Sequence, residues 1–225
     1  MWRIVPGMVC RACLLAAALV FSAGAPLHGW AADLSLEAAA AAYERGELAT
    51  AREAMARLSQ AGVPAADYNL AVMHLRGEMP APSVPEAVRL MRRAAEHGFV
   101  TAMFGLGRLH EEGDVLPVDL VEAHRWYLRA AEAGSVDAQV AVATAHYLGR
   151  GAPKDMAAAA RWYREAAKGG DVGAQYLIGS MYEAGDGVSR DLRLARYWYE
   201  VAARNGDEAA PGKVKEIDAK LAGGR

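Results

Sequence analysis

Cysteine is almost missing from this sequence. Its two thiols, Cys10 and Cys13, lie close to the N-terminus, ahead of an apolar stretch from Leu14 to Phe21. Beyond them no disulfide and no thiolate metal site can form, which excludes a disulfide-stapled fold and a cysteine zinc site. Aromatic residues are few, at 8% of 225 residues. Excess charge of one sign is missing too: 25 Lys and Arg stand against 27 Asp and Glu, a net −2. Proteins that bind nucleic acid or anionic membrane surfaces carry a basic excess, so neither partner is expected. The apolar stretch falls well short of the roughly 20 residues needed to span a bilayer. Nucleophile signatures are absent as well. There is no Gly-x-Ser-x-Gly, and no serine is followed three places later by lysine, which removes the esterase and β-lactamase motifs.

What is abundant is alanine, with 50 residues. Alanine is the best helix former and a poor strand former, so the expected fold class is all-α. The first 31 residues read as a secretory signal: Arg3 and Arg11 make a basic start, Leu14 to Phe21 an apolar core, and Gly29 and Ala31 a small-residue cleavage site. Cleavage there removes both cysteines and changes the net charge from −2 to −4, because two arginines and no acids are lost. The expected product is soluble and exported, to the periplasm or beyond, with no transmembrane segment.

The remaining tryptophans expose a repeat. Trp126, Trp162 and Trp198 are 36 residues apart, and each is followed by tyrosine. The same step relates Ala66, Ala102, Ala138 and Ala174, and also Gly77, Gly113, Gly149 and Gly185. It relates the small residues Ala71, Gly107, Ala143 and Gly179, the pairs from Ala94-Ala95 to Ala202-Ala203, and the closing glycines 98, 134, 170 and 206. A fixed period of this size marks stacked supersecondary units. Four units are read at 66–101, 102–137, 138–173 and 174–209, after a shorter capping hairpin within 32–65 and before a capping helix in 210–225.

Each unit reads as a helical hairpin. In the last, Ala174, Ile178, Met181 and Tyr182 form one helical face. Glycine ends the first helix, and Ser83, Asp119, Asp155 and Asp191 are placed as N-caps of the second. Alanines at the crossings let the helix axes approach to about 8 Å, and each Trp-Tyr pair fills the space that remains. On this reading Trp162→Ala costs about 3–5 kcal/mol. The first hairpin is expected as Leu36 to Glu44 and Leu48 to Gln60, and the last helix to cover the array with Val214, Ile217 and Leu221.

The unit A-x-x-x-[LVI]-[GA]-x-x-[YH]-x-x-G, followed by D-x-x-x-A-x-x-W-Y-x-x-A-A-x-x-G, resembles the Sel-1-like repeat, a relative of the tetratricopeptide repeat. Ala174 to Asp207 is its clearest instance, and the unit at 66 departs most, with Leu90-Met91 in place of Trp-Tyr. The resemblance implies a right-handed α-solenoid that works as a non-catalytic adaptor, holding a peptide or protein partner on the concave face formed by the first helices. For exported members it implies scaffolds of envelope complexes or, alternatively, periplasmic regulators of membrane receptors. A cysteine-rich secreted branch is linked to β-lactamase-like, cell-wall-directed activity; this chain has no cysteine after the signal and departs from that branch. Five hairpins and a cap are expected to be monomeric.

By analogy with the tetratricopeptide groove, one row of partner-binding candidates is Tyr68, Phe104, Val140 and Tyr176, and a second is Val72, Arg108, Thr144 and Ser180. Aromatic residues beside arginine suit a binding hot spot. Packing of Tyr68, Phe104 and Tyr176 between neighbouring first helices accounts for the row equally well. Glu111, Glu112, Asp114, Glu183 and Asp186 give the hairpin turns an acidic edge. His74, His110 and His146 share one repeat position. Stacked first helices set them roughly 8–10 Å apart, too far for zinc bonds of about 2 Å. They are expected to pack as aromatics, each bonded to a neighbour through a ring nitrogen. No catalytic residue, metal or cofactor is expected.

Overall fold

In the computed structural model, residues 35–223 are described. The expected signal segment, residues 1–31, lies outside them. Eleven helices occur among the described residues: α1 (Leu36–Glu44), α2 (Leu48–Gln60), α3 (Pro64–Leu75), α4 (Val84–Glu96), α5 (Val100–Glu112), α6 (Leu120–Glu132), α7 (Val136–Leu148), α8 (Met156–Lys168), α9 (Val172–Ala184), α10 (Leu192–Arg204) and α11 (Ala210–Gly223). None is long and apolar enough to cross a membrane. The chain divides after Gly105 into two compact units.

The helix starts follow from short polar side chains. Ser83, Asp119, Asp155 and Asp191 are N-caps of α4, α6, α8 and α10, as read from the sequence. Each side-chain oxygen accepts from a backbone N–H of the first turn, at 2.9 Å in α6 and α8. A cap of this kind stabilises a helix by about 1 kcal/mol. Ser135 and Asp171 do the same for α7 and α9.

In the first unit, α1 pairs with α2 and α3 with α4, and α2 packs on α3. The last two of these packings meet at an ion pair that the periodicity does not predict. Asp67 is only 2% exposed. The Arg93 guanidinium grips it with two hydrogen bonds, one at 2.6 Å to Oδ2 and one to Oδ1. The same guanidinium donates to Ser59 Oγ at 2.6 Å. One arginine of α4 therefore fastens α2 and α3.

In the second unit, the hairpins α7/α8 and α9/α10 share one continuous core with α11, and α6 packs on α7. Gln139 and Gln175 stand at the repeat position that Asp67 occupies. Each side-chain amide donates to the last turn of the preceding helix, to Ala131 O at 3.4 Å and Ala167 O at 3.1 Å. Asn205 then donates to Gln175 Oε1 at 2.9 Å. The loops after α7 and α9 rest on the starts of α6 and α8. A Cβ at Gly151 would lie 2.1 Å from Leu120 O, and one at Gly187 2.0 Å from Met156 O. Both glycines also hold positive φ, so no other residue fits there.

The Trp-Tyr pairs are not equivalent. Trp126 and Trp198 are buried, at 6% and 9% exposure, whereas Trp162 is only partly buried at the edge of the core cluster. The sequence-based cost of about 3–5 kcal/mol for Trp162→Ala is thus too high, since that range holds for enclosed rings.

The last helix closes the second unit. Ile217 is fully buried, with Val214 and Leu221 packed beside it. Glu183 of α9 holds α11 in place: it accepts from Lys220 at 2.7 Å, Lys213 at 3.3 Å and the Tyr199 hydroxyl at 2.9 Å. Burial pushes its carboxyl up, but the bonds from Lys220, Tyr199 and Lys213 outweigh that and hold it below the usual range. A lowered carboxylate pKa means that the unfolded chain binds the proton more readily, so acid favours unfolding. This contribution is complete above the unfolded pKa of about 4.3 and is lost as pH falls through the native value. Melting of the wild type is therefore expected to drop more steeply below about pH 4.5 than that of Glu183→Gln. Parallel curves would contradict the assignment.

Candidate functional site

The first helices present the residues read as two binding rows, and the second helices supply what lies behind them. Gly107 and Gly179 are the key positions. A Cβ at Gly107 would lie 2.5 Å from the Tyr127 ring, and one at Gly179 3.1 Å from the Tyr199 ring. Each tyrosine therefore lies directly over a first helix. Its hydroxyl continues to an acid one turn on: Tyr127 donates to Glu111 at 2.7 Å, and Tyr199 to Glu183 at 2.9 Å. Burial, then the bond to the acid, pushes both phenols well above their ordinary value. In the hairpin between them Ala143 replaces the glycine and Tyr147 replaces the acid. There the Tyr163 hydroxyl bonds Thr144 Oγ1 instead, at 3.0 Å. Glycine and acid thus change together, while the tyrosine stays. Glu111 and Glu183, read from sequence as part of an acidic edge, are partners of buried phenols.

This arrangement occupies much of the second row. Thr144 is bonded to Tyr163. Arg108 donates through Nε to Glu112 at 2.8 Å. In the first row, Val140 and Tyr176 are partly buried against the core of the second unit. The Tyr176 ring meets Tyr199 edge-on, with centroids 5.0 Å apart. In the first unit, Tyr68 tilts against Phe99 at 5.4 Å and lies beside Gly105, whose Cβ would be 3.9 Å from its ring. Phe104 on α5 is half-buried. Tyr68 and Val72 also line a cleft with Tyr43, Met55, Asn69 and Arg76. The aromatic residues of the row thus combine packing with partial exposure.

Hairpins that step by 36 residues, two of them with a Tyr-over-glycine contact, form a specific pattern. The family model described as "Sel1 repeat" matches residues 64–99, 100–135, 136–171 and 172–207. The chain belongs to the Sel1 repeat family. A Sel1 repeat protein from Oxalobacter formigenes, known as a crystal structure, is 32% identical and superposes with a TM-score of 0.68. The match covers 74% of this chain and 49% of that one. A protective antigen present in uropathogenic Escherichia coli strains, displaying an SLR fold, is 30% identical with a TM-score of 0.68, over 76% of this chain and 36% of that one. The chain therefore spans about half or less of the length of these relatives. A search of curated proteins finds no match. The fold is the all-α Sel1-repeat solenoid of stacked hairpins, and proteins of this family act generally as protein–protein interaction scaffolds.

The three histidines at one Sel1 repeat position behave differently. His74 Nδ1 accepts from the Ser83 N–H at 3.2 Å, and His146 Nδ1 pairs with Pro153 O at 3.2 Å. Both tie a first helix to the loop that follows it. The ring nitrogens of His110 are buried with no protein partner, contrary to the expected bond, because its loop brings no backbone group to the ring. His124, without an evident partner in sequence, meets His146 edge-on with centroids 5.1 Å apart. Burial, and then the neighbouring His146, lower its pKa.

Sequence reasoning missed the large apolar residues exposed on these first helices. Leu177 is 39% exposed, Tyr147 39% and Leu148 52%. Apart from its histidine, α7 carries only Asp137 as a charged residue, and α9 only Glu183. The first helices of the two central hairpins in the second unit are therefore apolar and almost uncharged. The repeat position of Leu177 holds Asn69, Gly105 and Ala141 in the other units, so no periodic signal marks it.

Proposed function

We propose that this Sel1 repeat protein is a non-catalytic scaffold whose first helices hold a peptide or protein partner, with α7 and α9 supplying the apolar contact. The observation that carries this reading is the exposure of Leu148 and Leu177 on two helices that also carry half-buried Val140 and Tyr176 and are nearly devoid of charge. Exposed apolar side chains on helices with a partly buried aromatic suit an interface core, where charged residues are depleted. Two polar residues of the second row shape the surface from within: Thr144 is committed to the Tyr163 hydroxyl, and Arg108 to Glu112. Tyr68, Val72 and Phe104 extend the same role to the first unit. The signal-like first 31 residues support a place outside the cytoplasm, in envelope assembly or signalling.

The cleanest test is Leu177→Asp. This side chain is exposed, so folding should be unchanged, whereas Tyr176→Ala would also remove the Tyr199 contact. Capture of the native partner from the host is expected to weaken about tenfold or more, the loss typical of an interface hot spot, with melting unaltered. Undiminished capture would remove α9 from the binding face.

A further inference from the structure

The first unit holds a cleft whose chemistry defines a narrower ligand; this inference deepens the scaffold reading and rests on it. The cleft lies between α1 and α3 over α2. Ala51, Met55, Val72 and Met73 make its walls, and about 30 Å³ within it is unfilled. One water needs about 10–15 Å³ on the same measure, so the space suits a short aliphatic group and not an aromatic ring. Two methionines in the wall let it adapt its shape. Tyr68 and Val72 line it alongside Asn69 and Arg76.

The mouth is polar and carries a positive excess. Arg76 donates to the Tyr43 hydroxyl at 2.6 Å, and that hydroxyl donates to Glu78 at 3.0 Å. Arg52 donates to the Glu78 backbone carbonyl at 2.7 Å. Arg76 thus reaches the Glu78 carboxylate through Tyr43, and Arg52 holds the Glu78 backbone, so two guanidiniums and one carboxylate meet at this corner. The Glu78 carboxylate stands 3.9 Å from Arg76, whose side chain is 31% exposed. An arginine held by a hydroxyl, with most of its donors unspent, is suited to a second carboxylate. Asn69 uses its amide N–H on Met55 Sδ at 3.8 Å, which leaves its side-chain carbonyl to accept a peptide N–H.

We infer that the α1–α3 cleft binds an extended peptide segment in which a short aliphatic residue is followed directly by an acidic one. The aliphatic side chain enters between Met55, Val72 and Met73, the carboxylate meets Arg76, and the Asn69 carbonyl takes the intervening N–H. Lysine in place of the acid is repelled, and tryptophan in place of the aliphatic residue does not fit.

The test uses the full chain and fluorescein-labelled peptides of the form Gly-Gly-Val-Asp-Gly-Gly, read by anisotropy. One series replaces Asp by Asn or Lys, and another replaces Val by Ala or Trp. The Val-Asp peptide is expected to bind about tenfold more tightly than Val-Asn, a step typical of a charge-assisted pair, and more tightly than Trp-Asp. Arg76→Gln is expected to erase the preference for Asp over Asn while keeping that for Val over Trp. Val72→Trp fills the cleft and should abolish binding, with the melting curve showing that the fold persists. Equal affinity for Asp, Asn and Lys peptides, binding indifferent to Val72→Trp, or no Val-Asp binding at about 1 mM, the weak end of specific recognition, overturns the inference. If partner capture still depends on Leu177 in that case, the scaffold reading stands and only the cleft assignment falls.

Discussion

Asp67→Ala is expected to destabilise the first unit by about 3 kcal/mol. The carboxylate is 2% exposed and receives two bonds from Arg93, which also holds Ser59. Removing one partner of a buried pair leaves the other desolvated without compensation, at a cost of about 3–5 kcal/mol. The lower end applies because the Arg93 side chain is 35% exposed and part of it can turn to water. Replacing both partners is expected to recover most of the loss, since an apolar pair of similar volume avoids the desolvation. Asp67→Leu with Arg93→Met should therefore melt well above Asp67→Ala alone. Amide exchange supplies the location: α2, α3 and α4 should lose protection in Asp67→Ala while α9 and α10 keep theirs, because repeat stability is a sum of local terms. Unchanged exchange in α2 would show that the Ser59 arm contributes nothing.

The second large effect is Trp198→Ala, expected to cost about 3–5 kcal/mol, the range for enclosed aromatic rings. Trp198 is 9% exposed within a cluster that includes fully buried Tyr199, Ile178 and Ile217. The α11 cap packs on its helix, so a void there also loosens the closing contact. Trp162→Ala is expected to cost less than half as much, since its ring is only partly buried. The comparison of the two variants by chemical denaturation is more telling than either alone. Equal losses would mean that ring burial does not govern the Trp-Tyr position.

Much of this fold was legible because local and periodic signals agree. Alanine at helix crossings, glycine after each first helix and a short polar cap before each second helix point to the same boundaries. Even the aperiodic first hairpin emerges as Leu36–Glu44 and Leu48–Gln60, the spans its composition predicts. What periodicity conceals is how one repeat position can hold different chemistry. Asp67, Gln139 and Gln175 are equivalent, yet one pairs with an arginine 26 residues on and the others cap carbonyls eight residues back. Glu111 and Glu183 read only as an acidic edge because their phenol partners follow 16 residues later, on the other helix of the hairpin. The Gly107–Tyr127 and Gly179–Tyr199 contacts were half visible: the small residue was recognised, but not the ring that requires it.

The candidate site was less legible than the fold for a related reason. The offset between a groove residue and a packing residue is one position on a helix, about 100° of rotation. Tyr176 therefore rests on Tyr199 while Leu177 faces outward. A row chosen by repeat register alone mixes both roles, as Tyr68 does when it packs on Phe99 and lines the cleft.

The central claim is that partners are held by the first helices. Site-specific photocrosslinking in the native host tests it most directly, with the probe placed at 148 or 177 on first helices and at 161 or 168 on α8, all exposed positions. The account predicts the same discrete adduct from 148 and 177 and none from 161 or 168. Adducts from α8 alone would contradict it.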